Sequence, residues 1–164
     1  LLIPIVSSER RKYIPIGYYK YPTVCSNLAF QVVVSSHYLF GILTSSMHMA
    51  WMRTVGGRLK GDYRYSNTLV YNNFVFPKPT EKQKSDIETK ARKILHIRSK
   101  YKDSTLADLY DSLVMPPDLL KAHQDLDKAV EKGYGKTFKT DEERVNYLFE
   151  KKKKKRNEML NKEI

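Results

Sequence analysis

Cysteine and long apolar runs are what this 164-residue sequence lacks most clearly. Cys25 is the only cysteine, so an internal disulfide is excluded, a structural zinc site is not expected, and a reducing compartment is favoured. The apolar stretch at residues 38–43 ends in Thr44, Ser45 and Ser46, well short of the roughly 20 residues that a membrane span needs. We therefore expect a soluble protein that does not enter a membrane.

Metal-binding spacings are also missing. The four histidines lie far apart and form neither an H-x-x-x-H nor an H-E-x-x-H pattern, which are the spacings that place two imidazoles on one helix face. A metal site is therefore not expected.

Acidic residues are nearly absent from the first half of the chain. Residues 1–80 carry nine Lys and Arg against only Glu9 and Asp62, whereas the remainder carries 21 against 16, and the total net charge is +12. Such an excess attracts a polyanionic partner and steers its approach. Charge by itself does not distinguish DNA, RNA and a membrane surface.

Short segments rich in Ile, Val and Tyr predict strands near residues 3–6, 13–18, 28–35 and 68–74. Apolar positions at helical spacing predict one buried helix over residues 38–55, which Gly56 and Gly57 end in the left-handed conformation. We expect an α+β fold, with a short-stranded mixed sheet and one buried helix in residues 1–77. Two prolines at Pro77 and Pro79 then form a stiff connector.

Beyond the connector, the pattern is helical throughout residues 78–164. Caps are expected at Thr80 and Ser104, two prolines follow Met115 in the first turn of a third helix, and Thr140 with Glu143 predicts a capping box for the last helix. Each helix is amphipathic. This helical C-terminal domain should form a small antiparallel bundle or pack against the first part.

The most informative motif is GRLKGDYRYS, at residues 57–66. If it is extended, Lys60, Asp62 and Arg64 leave one face while Leu59 and Tyr63 leave the other. Lys and Arg can donate to guanine O6 and N7, and Asp can accept from the cytosine amino group, so this face could read a G·C pair. The alternative is a solvated strand edge whose charges pair with one another.

Several other cations are candidates for contacts to DNA phosphates, which fix register without reading sequence. They are Arg10, Arg11, Arg53 and Arg58. The alternatives are simple solvation for the basic cluster and a salt bridge for Arg53. The six consecutive cations at residues 151–156 could bind phosphates or form a solvated helix terminus.

Five segments of the chain carry a resemblance to a known family. They are SSERRKYIPIGYY at 7–19, HYLFGILTSSMHMAWMRTVGGRLKGDYRYSNTLVYNNFVFP at 37–77, TEKQK at 80–84, STLADLYDSLVMPPDLLKAHQDLDKAV at 104–130, and DEERVNYLFE at 141–150. In content and order they resemble the C-terminal end of the MmeI-like DNA methyltransferases. These are large restriction–modification polypeptides, and the resemblance covers nearly the whole chain.

The resemblance implies that residues 1–77 are the last part of a target recognition domain and that residues 78–164 are the family's C-terminal helical domain. It also implies a parent enzyme that methylates adenine N6 with S-adenosylmethionine. In this family the positions matching Lys60 and Asp62 form a variable pair that reads one base, and the position matching Arg64 contributes to another. The basic run at 151–156 departs from the family pattern.

Catalytic motifs of such an enzyme are not found in this sequence. A glycine-rich cofactor turn is missing, and Asn72-Asn73-Phe74 lacks both prolines of the Asn/Asp-Pro-Pro-Tyr/Phe loop that holds a flipped base. The fragment is therefore expected to recognise double-stranded DNA without a cofactor or a catalytic residue of its own. Its partner would be the upstream methyltransferase domain of the same polypeptide, in a bacterial or archaeal cytoplasm. The first residue is Leu1 rather than Met, which fits a fragment.

Two other functions are compatible with the same sequence. One is a basic protein that binds RNA or DNA by charge alone, with the motif at 57–66 as an ordinary strand edge. The other is a docking module, in which the helical half only holds domains or subunits together.

Overall fold

The computed structural model describes residues 1–19, 22–33 and 36–161. The first half contains β1 (Leu2–Pro4), β2 (Val6–Ser7), β3 (Ala29–Gln31), α1 (His37–Leu43), α2 (Ser46–Val55), β4 (Gly57–Leu59), β5 (Asp62–Arg64) and a π-helix (Asn67–Tyr71). The second half contains α3 (Glu81–Arg98), α4 (Leu106–Leu109), α5 (Pro117–Gly133) and α6 (Asp141–Leu160). The α+β class is confirmed. In the described parts of the chain, no helix is long and apolar enough to cross a membrane.

The described strands form two small antiparallel sheets instead of the expected mixed one. One pairs β1 with β3, and the other has the order β2-β5-β4. The predicted strand at 13–18 is wrong, since that segment contributes only an isolated bridge between Leu2 and Gly17. Pro15 removes a ladder donor there, and Tyr13 and Ile14 are buried in the core instead. The prediction at 28–35 contains β3, and its residues 34 and 35 lie outside the described part.

The single helix expected over residues 38–55 is two helices, interrupted at Thr44 and Ser45. Ser45 Oγ donates to the Ile42 carbonyl at 2.7 Å and accepts from the His48 amide at 3.5 Å. The Asp127 carboxylate of α5 accepts from the Ser46 amide at 2.7 Å. Together these groups satisfy the free amides of a new helix start, so the chain restarts as α2.

Gly56 ends α2, but not in the predicted left-handed conformation, since its φ and ψ are −73° and 158°. A side chain is excluded for another reason: a Cβ atom would lie 2.5 Å from the Met52 carbonyl oxygen. The prediction therefore identified the helix end and gave the wrong physical reason for it.

The predicted strand at 68–74 is wrong, because the chain forms a π-helix there. The Ser66 hydroxyl accepts from the Leu69 amide at 3.2 Å and caps this helix, and the Asn72 amide donates to Asn67 at 2.8 Å. The Val70 side chain is fully buried, and its carbonyl accepts from the Trp51 indole at 3.0 Å. Capping and tertiary contacts thus override the β propensity of Thr, Val and Tyr.

The helices of the second half begin at or close to the predicted residues. Thr80 caps α3 in a reciprocal box with Gln83, and prolines open α5. The cap of α4 is Thr105 instead of Ser104. Thr140 accepts from the Glu143 amide, but the Glu143 carboxylate accepts from the Lys139 amide, so that box is incomplete.

The two halves share one hydrophobic core. Helix α1 packs against α3, and α2 packs against both α5 and α6. Trp51, Phe40 and Ile14 from the first half lie in the same buried cluster as Ile87 and Leu126 from the second. Of the two arrangements that the sequence allowed, the helices therefore adopt the one in which they pack against the first part.

Candidate nucleic-acid interface

The GRLKGDYRYS motif forms a β-hairpin, and the expected continuous strand is wrong. Strands β4 and β5 pair Leu59 with Asp62, leaving a two-residue turn. The φ angles of Lys60 and Gly61 are 51° and 95°. Positive φ at both central residues is the turn that matches strand twist, and Gly61 supplies it without strain. Lys60 thus lies at the exposed tip instead of in line with Asp62 and Arg64.

One face of the three-stranded sheet is open to solvent. Directly opposed residues share a face, so Val6, Arg64 and Gly57 lie in one row, and Leu59 and Asp62 lie in the next. Arg64 is exposed, Asp62 is half-buried, and Val6 and Leu59 are 39% and 46% exposed. The open face therefore combines two charged and two apolar side chains.

The opposite face of the sheet is packed, and it contains Tyr63 and Ser7, both buried. Leu59 was expected on this face with Tyr63, but it lies on the open face with Asp62. The hairpin turn reverses the alternation that a single strand would have. The sequence interpretation therefore missed Val6 and Leu59 as members of the exposed row. The Lys60-Gly61 dipeptide was the signal that could have found the turn.

Contacts to the preceding loop hold the hairpin. The Glu9 amide donates to Asp62 Oδ1 at 3.3 Å. The Arg58 guanidinium donates to the Gly61 carbonyl at 3.1 Å, lies 3.6 Å from the Glu9 carboxylate, and lies 4.1 Å from the centre of the Tyr63 ring. Arg58 therefore contacts three parts of the hairpin and its neighbouring loop at once.

The other phosphate candidates differ in how much of each side chain is free. Arg53 donates to the Asp141 carboxylate at 2.6 Å and to the Lys12 carbonyl at 2.9 Å, which is the salt-bridge alternative. Arg11 is half-buried and donates to the Ala107 carbonyl at 3.4 Å. Arg10 is exposed and follows Glu9, so it lies beside the hairpin.

The base of the hairpin is anchored to α2 through Tyr65. Its amide donates to the Ile5 carbonyl at 2.7 Å, and its hydroxyl lies 2.9 Å from His48 Nε2. Burial raises the pKa of Tyr65 and lowers the pKa of His48 to about 3, so the imidazole is neutral.

Across the described ranges, no cluster of three or more His, Cys, Asp or Glu could hold a metal.

Two polar clusters, one partly and one fully buried, connect the halves of the chain. In the first, the Asp127 carboxylate accepts from the hydroxyls of Tyr13 at 2.7 Å and Ser46 at 2.6 Å. In the second, the Tyr110 hydroxyl lies 2.6 Å from His123 Nε2 and accepts from Arg98, which also donates to the Ile16 carbonyl of the first half at 2.7 Å. The sequence interpretation missed the first cluster, because its members lie 81 to 114 positions apart and form no local motif.

The triplet Asn72-Asn73-Phe74 has structural contacts. The Asn73 amide donates to the Thr68 carbonyl at 2.6 Å, and the buried Phe74 ring packs edge-on against His48 at 4.7 Å between ring centres. These contacts hold the end of the π-helix against α2.

Comparison with known proteins places this architecture in a family. A family model described as "MmeI, target recognition domain" matches residues 1–78, and one described as "MmeI, C-terminal domain" matches residues 79–160. The curated protein DNA methyltransferase A of Bacillus subtilis (strain 168) is 45% identical over 149 residues, which are 90% of this chain and 17% of that protein.

A solved structure is also similar. It is the structure of the Type IIL restriction-modification enzyme MmeI in complex with DNA, with a TM-score of 0.89 and 49% identity. The match covers 93% of this chain and 21% of that one, so this chain spans about a fifth of these relatives. Since both family models match in chain order, the chain belongs to the MmeI family, and it contains the target recognition and C-terminal domains of that family.

Proposed function

We propose that this chain is the sequence-recognition and C-terminal helical part of an adenine-N6 DNA methyltransferase from a restriction–modification system, and is non-catalytic by itself. The observation that carries the proposal is the hairpin of β4 and β5. It presents Asp62 and Arg64 on an open face and Lys60 at its tip. The similarity to a DNA methyltransferase and to MmeI supports the same assignment.

The chemistry of base reading follows from these three side chains. A two-stranded ribbon fits the major groove, where Lys60 would donate to guanine O6 and N7 and Asp62 would accept from the amino group of the paired cytosine. The hydrogen bond from the Glu9 amide orients the Asp62 carboxylate before DNA arrives. Arg64, two residues further along the same face, would contribute to a neighbouring base.

The second half would support this reading surface. Residues 79–161 pack on α1 and α2 through the shared core and the Tyr13–Asp127 contact. The binding of S-adenosylmethionine and methyl transfer would belong to an upstream domain of the same polypeptide, in a bacterial or archaeal cytoplasm. Duplex DNA and that upstream domain are the proposed partners.

Fluorescence anisotropy tests the proposal with labelled duplex DNA and single-stranded RNA over a range of salt concentrations. We expect weak duplex binding whose affinity falls steeply with salt, because cations displace condensed counterions. Lys60→Gln should weaken binding more than Lys84→Gln, which removes the same charge from the exposed surface of α3. Preferential, tight binding to single-stranded RNA would instead support the charge-only alternative.

A further inference from the structure

The basic run at residues 151–156 lies on an ordered helix, since α6 continues to Leu160. Lys152 is its one half-buried member. Lys152 Nζ lies 2.5 Å from Asn73 Oδ1 and 5.7 Å from the centre of the Trp51 ring, and Phe149 packs on Trp51 at 5.1 Å. These contacts fix the helix against the first half of the chain. The other five cations of the run are exposed.

A groove separates this part of α6 from the segment at residues 72–78, which we call the strap. Cavities of about 910 Å³ and about 510 Å³ lie between the strap and α6. The larger cavity is lined by five cations and by no acidic residue; they are Lys78, Lys152, Lys153, Lys155 and Arg156. Its other walls include the amide side chain of Asn72 and the rings of Phe76 and Phe149.

We propose that this groove binds the sugar–phosphate backbone of duplex DNA. Charge density identifies the occupant. The four cations of α6 that line the cavity lie on one broad side of the helix, because they are spaced one, three and four residues apart; they are Lys152, Lys153, Lys155 and Arg156. Duplex DNA carries one negative charge per roughly 1.7 Å of its axis. The lining of the cavity, with five cations and no acidic residue, complements this polyanion. Exposed Phe76 and Phe149 supply apolar contact for the sugars.

This inference rests on the proposed function, since it adds a second DNA contact to the same chain. The two contacts have separate signatures. Loss of a phosphate contact weakens binding uniformly across sequences and reduces the salt dependence, whereas loss of a base contact changes the preferred sequence. A groove variant should therefore leave base preference as it was.

The experiment compares two triple variants of the full chain. Lys153→Gln, Lys155→Gln and Arg156→Gln together remove three charges from the groove. Lys82→Gln, Lys84→Gln and Lys93→Gln remove three exposed charges from α3, away from the groove. Glutamine keeps a good helix propensity, and circular dichroism checks that the helices remain. Anisotropy is measured over a salt series with mixed-sequence duplexes of about 15 and about 40 base pairs.

We expect the groove variant to lose about tenfold or more in affinity for both duplexes at low salt, and its log–log salt slope to fall by up to about 3, at roughly 0.9 per lost phosphate contact. The α3 variant should change both quantities much less. Equal losses in the two variants would mean that only net charge matters, and an unchanged groove variant would also overturn the proposal. The proposal would also be contradicted if the groove variant bound DNA normally but no longer bound an oligoglutamate peptide. That result would assign the groove to an acidic protein partner. If the groove variant loses binding as expected but Lys60→Gln leaves binding unchanged, the proposed function is contradicted and the groove proposal is not.

Discussion

The Tyr13 hydroxyl donates a 2.7 Å hydrogen bond to the carboxylate of Asp127, which lies 114 positions later in the chain. The same carboxylate accepts from the amide and the hydroxyl of Ser46, at the start of α2. Burial raises the pKa of Asp127, and these hydrogen bonds oppose that rise. One side chain of the C-terminal half thus contacts both the segment between β2 and β3 and the helix that leads into the hairpin.

Replacing Tyr13 with Phe should destabilise the whole chain. The change removes one hydrogen bond to a half-buried carboxylate, which should cost about 1–2 kcal/mol in the free energy of unfolding by urea. Tyr101→Phe is the matched control, because it removes a 2.8 Å hydrogen bond to Asp118 that lies at the surface. If both variants lose equally little, Tyr13 and Asp127 do not couple the halves.

Acid should destabilise the fold through His48. Burial lowers the pKa of this imidazole to about 3, from 6.5 in an unfolded chain. Below pH 6.5 the unfolded state binds a proton that the native state excludes, so stability is complete above pH 6.5 and is lost as pH falls towards 3. Between pH 7 and pH 5 this site should cost about 2 kcal/mol, measured by urea unfolding.

Two variants isolate the contribution of His48 to this pH dependence. His48→Gln should reduce the loss between pH 7 and pH 5, and the remainder should include His123, whose pKa is also lowered by burial. Exposed His96→Gln serves as the control. A wild-type pH dependence that survives in the His48 variant would show that its imidazole is not held neutral.

Arg58 should stabilise the hairpin turn locally. Arg58→Met removes the hydrogen bond to the Gly61 carbonyl and the contact with Glu9. We expect the amides of Gly61 and Asp62 to exchange hydrogen faster by NMR, with little change in global stability, because the group is partly exposed. Arg92→Met, which breaks the surface pair with Glu88, should leave the hairpin amides unchanged. Unaltered exchange in the Arg58 variant would show that Arg58 does not stabilise the hairpin turn.

The isolated chain should not bind S-adenosylmethionine, because its sequence contains neither the cofactor turn nor the base-flipping loop of an adenine methyltransferase. Isothermal titration calorimetry should show no saturable heat. A micromolar site with defined stoichiometry would contradict the proposal that cofactor binding belongs to an upstream domain.

Local signals were sufficient to predict where α3 and α5 begin, whereas the cap of α4 and the capping box of α6 were predicted incorrectly in detail. Thr80 and the prolines after Met115 are start signals that act within one helical turn, and the structure agrees with them. The break between α1 and α2 was not predictable in this way. It depends on Asp127, which lies 81 positions from Ser46 and therefore outside any local sequence pattern.

The candidate site was predictable in composition but not in geometry. Lys60, Asp62 and Arg64 follow a spacing of two, which predicts a shared face only while the chain stays extended. The left-handed backbone at Lys60 and Gly61 turns the chain, and it moves Leu59 to the open face. Likewise, the β-forming residues around Val70 form a π-helix because Ser66 caps it and Trp51 bonds its backbone.

The most direct test of sequence recognition exchanges the charges of Lys60 and Asp62 at the hairpin, in a chimera where this chain replaces the matching segment of DNA methyltransferase A. Modified-base sequencing then compares the site preference of this chimera with that of its Lys60→Glu, Asp62→Arg form. Donor and acceptor change places, so the preferred pair should invert from G·C to C·G at one position, with tenfold or greater discrimination at roughly 1–3 kcal/mol per contact. Single substitutions should perform worse than the pair. An unchanged site preference in the double variant would show that Lys60 and Asp62 do not read a base.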